Sequence, residues 1–176
     1  TYRNLNKGKI MTPEEENFIR ARKDYAKAAT AIGVTDPFNF GRGNEAVAAI
    51  MFGHTISPKL AGADAINEKG ELVEYKSTIQ KNLTATYNGI SVQPTWEKLV
   101  EYLKEKKILN IPHHYCWRTD DYGDICEAYK LKAQDVYDCL LPKMKRSYEN
   151  RHNRKDPRVA ASLSNTEIKK YGRRVI

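Results

Sequence analysis

The stretch GADAINEKGELVEYKST, residues 62–78, decides what kind of sheet this chain can build. Residues 63–67 and 71–78 alternate moderately between apolar and polar, and Glu68-Lys69-Gly70 between them is a turn signal. The pattern predicts an antiparallel hairpin. Side chains two apart on a strand face the same way, so Glu74 and Lys76 share one face while Val73 and Tyr75 take the other. Asp64 and Glu74 lie at equal distance from Lys69, and a simple register sets them opposite each other. Two carboxylates so placed, completed by water and a substrate phosphate, suit Mg²⁺, which takes octahedral oxygen ligands and keeps part of its water. The backbone carbonyl of Tyr75 is a further candidate ligand. An ammonium at Lys76 would orient water and neutralise charge building on a phosphate in the transition state. The competing reading is an ordinary solvated hairpin.

Working outward, MTPEEENFIRARKDYAKAATAIG (11–33) predicts a helix over 12–32. Thr12 caps it, Pro13 suits its first turn, three glutamates favour its positive end and Gly33 stops it. NEAVAAIMFG (44–53) reads as a short apolar helix. Its Glu45 is either a first-turn glutamate favoured by the helix dipole or an outer or second-metal ligand. HTISPKLAG reads as a connection, and QKNLTATYNGISVQPT (80–95) as a polar segment that buries little. TWEKLVEYLKEKKIL (95–109) carries Trp96, Leu99, Val100, Leu103 and Ile108 at helical spacing. HHYCWRTDDYGDICEAYKL (113–131) reads as two strands around an Asp-Asp-Tyr-Gly turn. The helix that follows meets Pro142, which would interrupt it or open another. Beyond it the chain reads as basic loop, with a short helix over 164–171. Strands interleaved with helices predict one mixed sheet with helices against it, in a single domain.

The 176 residues carry a formal charge of +8, and residues 141–176 hold all of the excess. That segment has eleven Lys and Arg against three Asp and Glu. Such a basic surface attracts polyanions, most strongly through counterion release from phosphates. No apolar run approaches the roughly 18 residues of a membrane span, so a cytoplasmic protein is expected. Cys116, Cys126 and Cys139 are widely spaced and read as isolated buried thiols, without the ligand spacing of a zinc site.

The Asp…Glu-x-Lys signature on a hairpin resembles the PD-(D/E)xK nuclease superfamily, the fold of many type II restriction endonucleases. Within that superfamily the chain resembles the small blunt-cutting members that read CAGCTG. The similarity runs through GVTDPFNF (33–40), the turn at 53–55 and GADAINEKGELVEYKS (62–77), then through CWRTDDYGDICEAYKL (116–131) and KDPRVAASLSNTEIKKYG (155–172). It spans about two-thirds of the chain. The resemblance implies an α/β (α+β) restriction-endonuclease-like core, with a mixed central β-sheet flanked by helices and a catalytic β-hairpin. It implies a homodimer that hydrolyses double-stranded DNA at a short palindromic site, leaving 5′-phosphate and 3′-hydroxyl ends. Mg²⁺ is the implied cofactor, with Mn²⁺ substituting and Ca²⁺ supporting binding without efficient turnover. In that carry-over Asp64 and Glu74 are metal ligands and Lys76 is the catalytic lysine. Helix 12–32 is the implied dimerisation element.

Two departures separate chemistry from recognition. Ala61 stands where those enzymes carry a glutamate, and YNGISVQ (87–93) stands where they carry base-contacting histidines. The CAGCTG specificity is therefore not carried over. Base contacts are expected instead from Gln80, Asn82, Asn88, Ser91 and Gln93, with Ile90 against a thymine methyl. Phosphate contacts are expected from Lys81, Lys143, Lys145, Arg146, Arg151, Arg154, Lys155 and Arg158. His113 and His114 are further candidates for touching DNA. The alternatives are a junction-resolving or repair nuclease of the same fold and, in another class, a non-catalytic basic DNA-binding protein.

Overall fold

The computed structural model describes residues 11–39, 41–59 and 62–176; the departure at Ala61 and the end of GVTDPFNF at Phe40 lie outside them. The described residues fall into two compact units divided after Gly43. The first holds α1 (Pro13–Ala31). Thr12 caps it reciprocally: the Glu15 N–H donates to Thr12 Oγ1 (3.3 Å), and the Thr12 N–H donates to Glu15 Oε2 (2.9 Å). Gly33, at φ +79°, turns the chain away after its end.

The second unit carries everything that positions the candidate site. Along the chain come α2 (Arg42–Phe52), β1 (Thr55–Ile56), β2 (Ala65–Ile66), β3 (Leu72–Thr78), β4 (Ala85–Ile90) and α3 (Trp96–Tyr102). They are followed by β5 (His113–Thr119), β6 (Ile125–Lys132), α4 (Ala133–Glu149), β7 (Val159–Leu163), α5 (Asn165–Tyr171) and β8 (Arg173–Arg174). Six strands form one sheet in the order β1-β2-β3-β5-β6-β8, in which only β3 and β5 run parallel. The fold is therefore α+β, a mixed central sheet flanked by helices.

Period-two alternation splits the sheet between two apolar layers. Val73, Tyr75, Tyr115 and Trp117 pack on one face with Ala48, Ala49 and Phe52 of α2. On the other face Cys116, Tyr129 and Leu131 meet Leu99 of α3, Val136, Leu140 and Met144 of α4, and Ile168 of α5.

Several sequence expectations are corrected here. The connection after α2 contains a strand, β1, which pairs with β2. The polar segment 80–95 buries Leu83, Ala85, Tyr87 and Ile90, and β4 pairs antiparallel with β7 in a separate two-stranded sheet. Its alternate residues are apolar until a bulge containing Gly89 (φ +65°) shifts the register and returns Ile90 to the core. The same pairing makes residues 159–163 a strand in place of loop. Pro142 sits inside α4 without ending it, because Leu140, Met144 and Tyr148 bury on either side of it. Finally, helix 95–109 changes to a π-helix over Leu103–Lys107, with the Ile108 N–H donating to Leu103 O (2.8 Å). The wider turn lets Leu103 and Ile108, five residues apart, both face the core. Of the three thiols only Cys116 is buried; Cys126 is exposed and Cys139 half-buried.

Ile90 is 4% exposed, so its side chain belongs to the core and not to a thymine contact. Ile90→Ala is expected to cost about 2–5 kcal/mol of stability. Urea unfolding at constant slope measures it, and a loss below about 0.5 kcal/mol would place the side chain outside the packed layer.

Candidate active site

The hairpin forms in the expected register. Ala65 pairs with Val73 and Ile66 with Leu72, which sets Asp64 opposite Glu74. The turn is tied by Asn67: the Lys69 and Glu71 N–H groups donate to Asn67 Oδ1 at 3.0 and 2.9 Å. Asp64 is fixed from both sides, its N–H donating to Val73 O (3.0 Å) and its carbonyl accepting from Ser57 N–H (2.8 Å). Its carboxylate then folds onto β3, where Oδ2 accepts from the Tyr75 N–H (2.7 Å). Lys76 Nζ donates to Glu74 Oε1, and these two side chains are only 22% and 16% exposed.

The charges in this cluster do not balance locally. Burial first, then the neighbouring Glu74 and Glu45 charges, push the Asp64 carboxyl up to about 7, although Lys76 and the Tyr75 N–H pull the other way. Burial also works against the Lys76 ammonium. The Glu74 and Asp64 carboxylates outweigh it and hold the amine above the ordinary lysine range. Glu45, in the first turn of α2, thus belongs to the same electrostatic cluster. Asp64 therefore bears both burial and two neighbouring carboxylates against a single lysine that already pairs with Glu74, and a cation beside it would relieve both. Among the described residues no group of three or more His, Cys, Asp or Glu side chains is set to hold a metal ion. A Mg²⁺ site needs fewer: one or two carboxylates, with water and substrate phosphate supplying the rest.

The parallel pairing of β3 with β5 supplies a floor that the sequence reading missed. Glu74 is partnered by His114 and Lys76 by Cys116. His114 is wholly buried, its Nδ1 2.9 Å from the Tyr87 hydroxyl and its Nε2 3.2 Å from Ile108 O. A carbonyl only accepts, so Nε2 carries the proton and the Tyr87 hydroxyl donates to Nδ1. Burial lowers the His114 pKa to about 4 and pushes the Cys116 thiol up to about 12, so both are neutral. His114 is therefore a buried structural group and is corrected as a DNA contact. The signal for this floor lay in the alternation of Leu83, Ala85 and Tyr87, hidden by the polar residues between them. His113, also expected near DNA, is half-buried with Nε2 2.7 Å from Glu71 Oε2 at the turn end of the hairpin.

The remaining candidates divide by what already holds them. Gln80, Lys81, Asn82, Asn88 and Ser91 are exposed, as are Lys145, Arg146 and Lys155. Gln93 is half-buried, its amide donating to Ser91 O (3.4 Å). Lys143 is tied into the fold, donating to Ser162 O (2.9 Å) and Glu167 Oε2 (2.6 Å), which joins α4 to β7 and α5. Arg151 stacks 3.8 Å over the Tyr148 ring and donates to Tyr148 O. Arg154 donates to Ser147 Oγ (3.0 Å), and Arg158 forks onto Asp156. Asn88, Gly89, Arg154, Asp156 and Arg158 line one open cavity of about 450 Å³ beside the β4 bulge, joining two segments that the sequence treats separately.

No protein-family model matches the chain. No curated protein matches it either. No helix among the described residues is long and apolar enough to cross a membrane.

Proposed function

We propose that this chain is a Mg²⁺-dependent endonuclease of double-stranded DNA, a cytoplasmic type II restriction enzyme built on a PD-(D/E)xK core. The observation that carries the reading is the meeting of Asp64, Glu74 and Lys76 on one hairpin, with too little positive charge among them. A plain ion pair would satisfy Glu74 with Lys76 and leave no reason to bury the Asp64 carboxyl opposite it. The oxygen donors fit a hard divalent cation, with Asp64, Glu74 and the Tyr75 carbonyl as ligands and Glu45 as an outer one. Bound there, Mg²⁺ would polarise the phosphate and lower the pKa of its water. Asp64 is held for that task by the Tyr75 N–H, and Glu74 by its strand. Lys76 brings a compact ammonium, kept charged by its neighbours, to the oxygens on which negative charge develops.

The basic residues Lys81, Lys145, Arg146 and Lys155 supply a phosphate-binding surface, and the exposed amides and hydroxyls of 80–93 the base contacts. Cutting both strands of a palindrome is simplest with one site per subunit about a shared two-fold axis. Phe18, Tyr25 and Ile32, exposed at and just beyond α1, suit the proposed dimer contact.

The deciding experiment digests a large phage DNA in Mg²⁺ and sequences the ends. Discrete ends sharing a short symmetric consensus are expected, with 5′-phosphates. Ends without any consensus would turn the reading toward a repair or junction nuclease, and intact DNA would end it.

A further inference from the structure

We infer that Tyr87 is a positioning residue for Lys76: the face of its ring, locked by His114, holds the ammonium in the site. The inference rests on the proposed role of Lys76 at a phosphate. Lys76 Nζ lies 5.1 Å from the centroid of the Tyr87 ring, within the range of a cation–π contact. Tyr87 is 6% exposed, so this contact is largely shielded from water, where it is worth most.

The ring cannot swing away. Its hydroxyl donates to His114 Nδ1, and His114 is fixed in turn through Nε2 to Ile108 O at the end of the π-helix. His114 and Tyr87 also pack with ring centroids 5.7 Å apart. The strand carrying Tyr87 is braced behind by β7, where Tyr87 pairs with Ala161. Three elements distant in sequence thus converge to present one aromatic face to one lysine.

The chemistry explains why a ring is useful here. Glu74 is both the ion-pair partner of Lys76 and a candidate cation ligand, so a carboxylate engaged with a cation has less charge to give its ammonium. Tyr87 carries no formal charge and takes no part in such competition. The floor around it is likewise neutral, with an uncharged His114 imidazole and Cys116 thiol. The ring therefore keeps the ammonium on station without neutralising it, and leaves its protons free for a phosphate oxygen.

The test needs no metal for its first part. In protein carrying ¹³C-labelled lysine, the Lys76 ε-methylene signal, identified by its loss in Lys76→Ala, is expected upfield of the other lysines through the ring current of Tyr87. Tyr87→Phe keeps the shift, whereas Tyr87→Leu, or Tyr87→Met where the leucine variant folds poorly, moves the signal to the ordinary position.

The second part is single-turnover cleavage in Mg²⁺. Tyr87→Leu should be about tenfold to thirtyfold slower with Ca²⁺-supported DNA binding held. Tyr87→Phe should recover the rate to within about threefold while losing thermal stability, because it leaves His114 Nδ1 without its donor. In a Lys76→Ala background Tyr87→Leu should add no further slowing. An unshifted wild-type signal, or equal slowing by Tyr87→Leu in both backgrounds, overturns the inference. A shifted signal in a wild-type protein that cleaves nothing overturns the nuclease reading, and the role of Tyr87 in it.

Discussion

Asp64→Ala and Glu74→Ala are each expected to slow Mg²⁺-dependent cleavage by at least about a thousandfold while leaving duplex binding measurable. The two carboxylates face each other across the hairpin, and both are costly beside phosphates unless a cation intervenes. Removing either should therefore strengthen metal-free DNA binding, most visibly at low salt. In the wild-type protein Ca²⁺ should support binding with little turnover, since its looser coordination places the attacking water less well. Single-turnover digestion alongside gel-shift titration in chelator, Ca²⁺ and Mg²⁺ reads all of this together. Full Mg²⁺-dependent cleavage by either variant would remove its carboxylate from the metal site. Glu45→Ala provides a graded control: an outer ligand predicts a smaller loss than either member of the pair.

Lys76→Ala is expected to lose several powers of ten in the rate of the chemical step, with DNA affinity in Ca²⁺ nearly unchanged. Under the proposed reading its ammonium meets charge that exists only in the transition state, so its removal should be felt there and not in ground-state binding. Lys76→Arg should rescue little. A planar guanidinium needs a wider, differently shaped space than a compact ammonium lodged between Glu74 and the Tyr87 ring. Rapid-quench kinetics at saturating enzyme isolates the step. A Lys76→Ala rate within about threefold of wild type would falsify the catalytic role.

The hairpin was legible because its information is local. Glu68-Lys69-Gly70 marks the turn, period two assigns the faces, and symmetry about Lys69 sets Asp64 against Glu74. The capping residue Thr12 and the Asp-Asp-Tyr-Gly turn ending at Gly123 were legible for the same reason, each within a few residues of what it controls. The floor of the site was not. His114 lies beside Glu74 because β5 runs parallel to β3, and that pairing spans a crossover holding β4 and α3. A parallel neighbour leaves no turn signal that sets its register. β4 was hidden for another reason: its outward positions, Thr86 and Asn88, are polar enough to mask the inward ones, and its partner β7 lies some seventy residues away, with Thr86 paired to Ser162. Pro142 misled because the helix rule describes an average cost, and α4 offsets that cost through the burial of Leu140, Met144 and Tyr148.

The pairing of β4 with β7 in a sheet of its own suggests a route to engineering this protein. Along β4 the inward residues Ala85, Tyr87 and Ile90 are committed to packing, Tyr87 also facing Lys76, whereas Thr86 and Asn88 are exposed. The two sets alternate on one strand, so under the proposed reading a library varied only at the outward positions would hold the Lys76 environment constant while sampling new target preferences. Randomising the inward set would instead return mostly unfolded or inert clones. Under the proposed reading, the same interleaving gives natural variation a protected way to change what is cut without changing how.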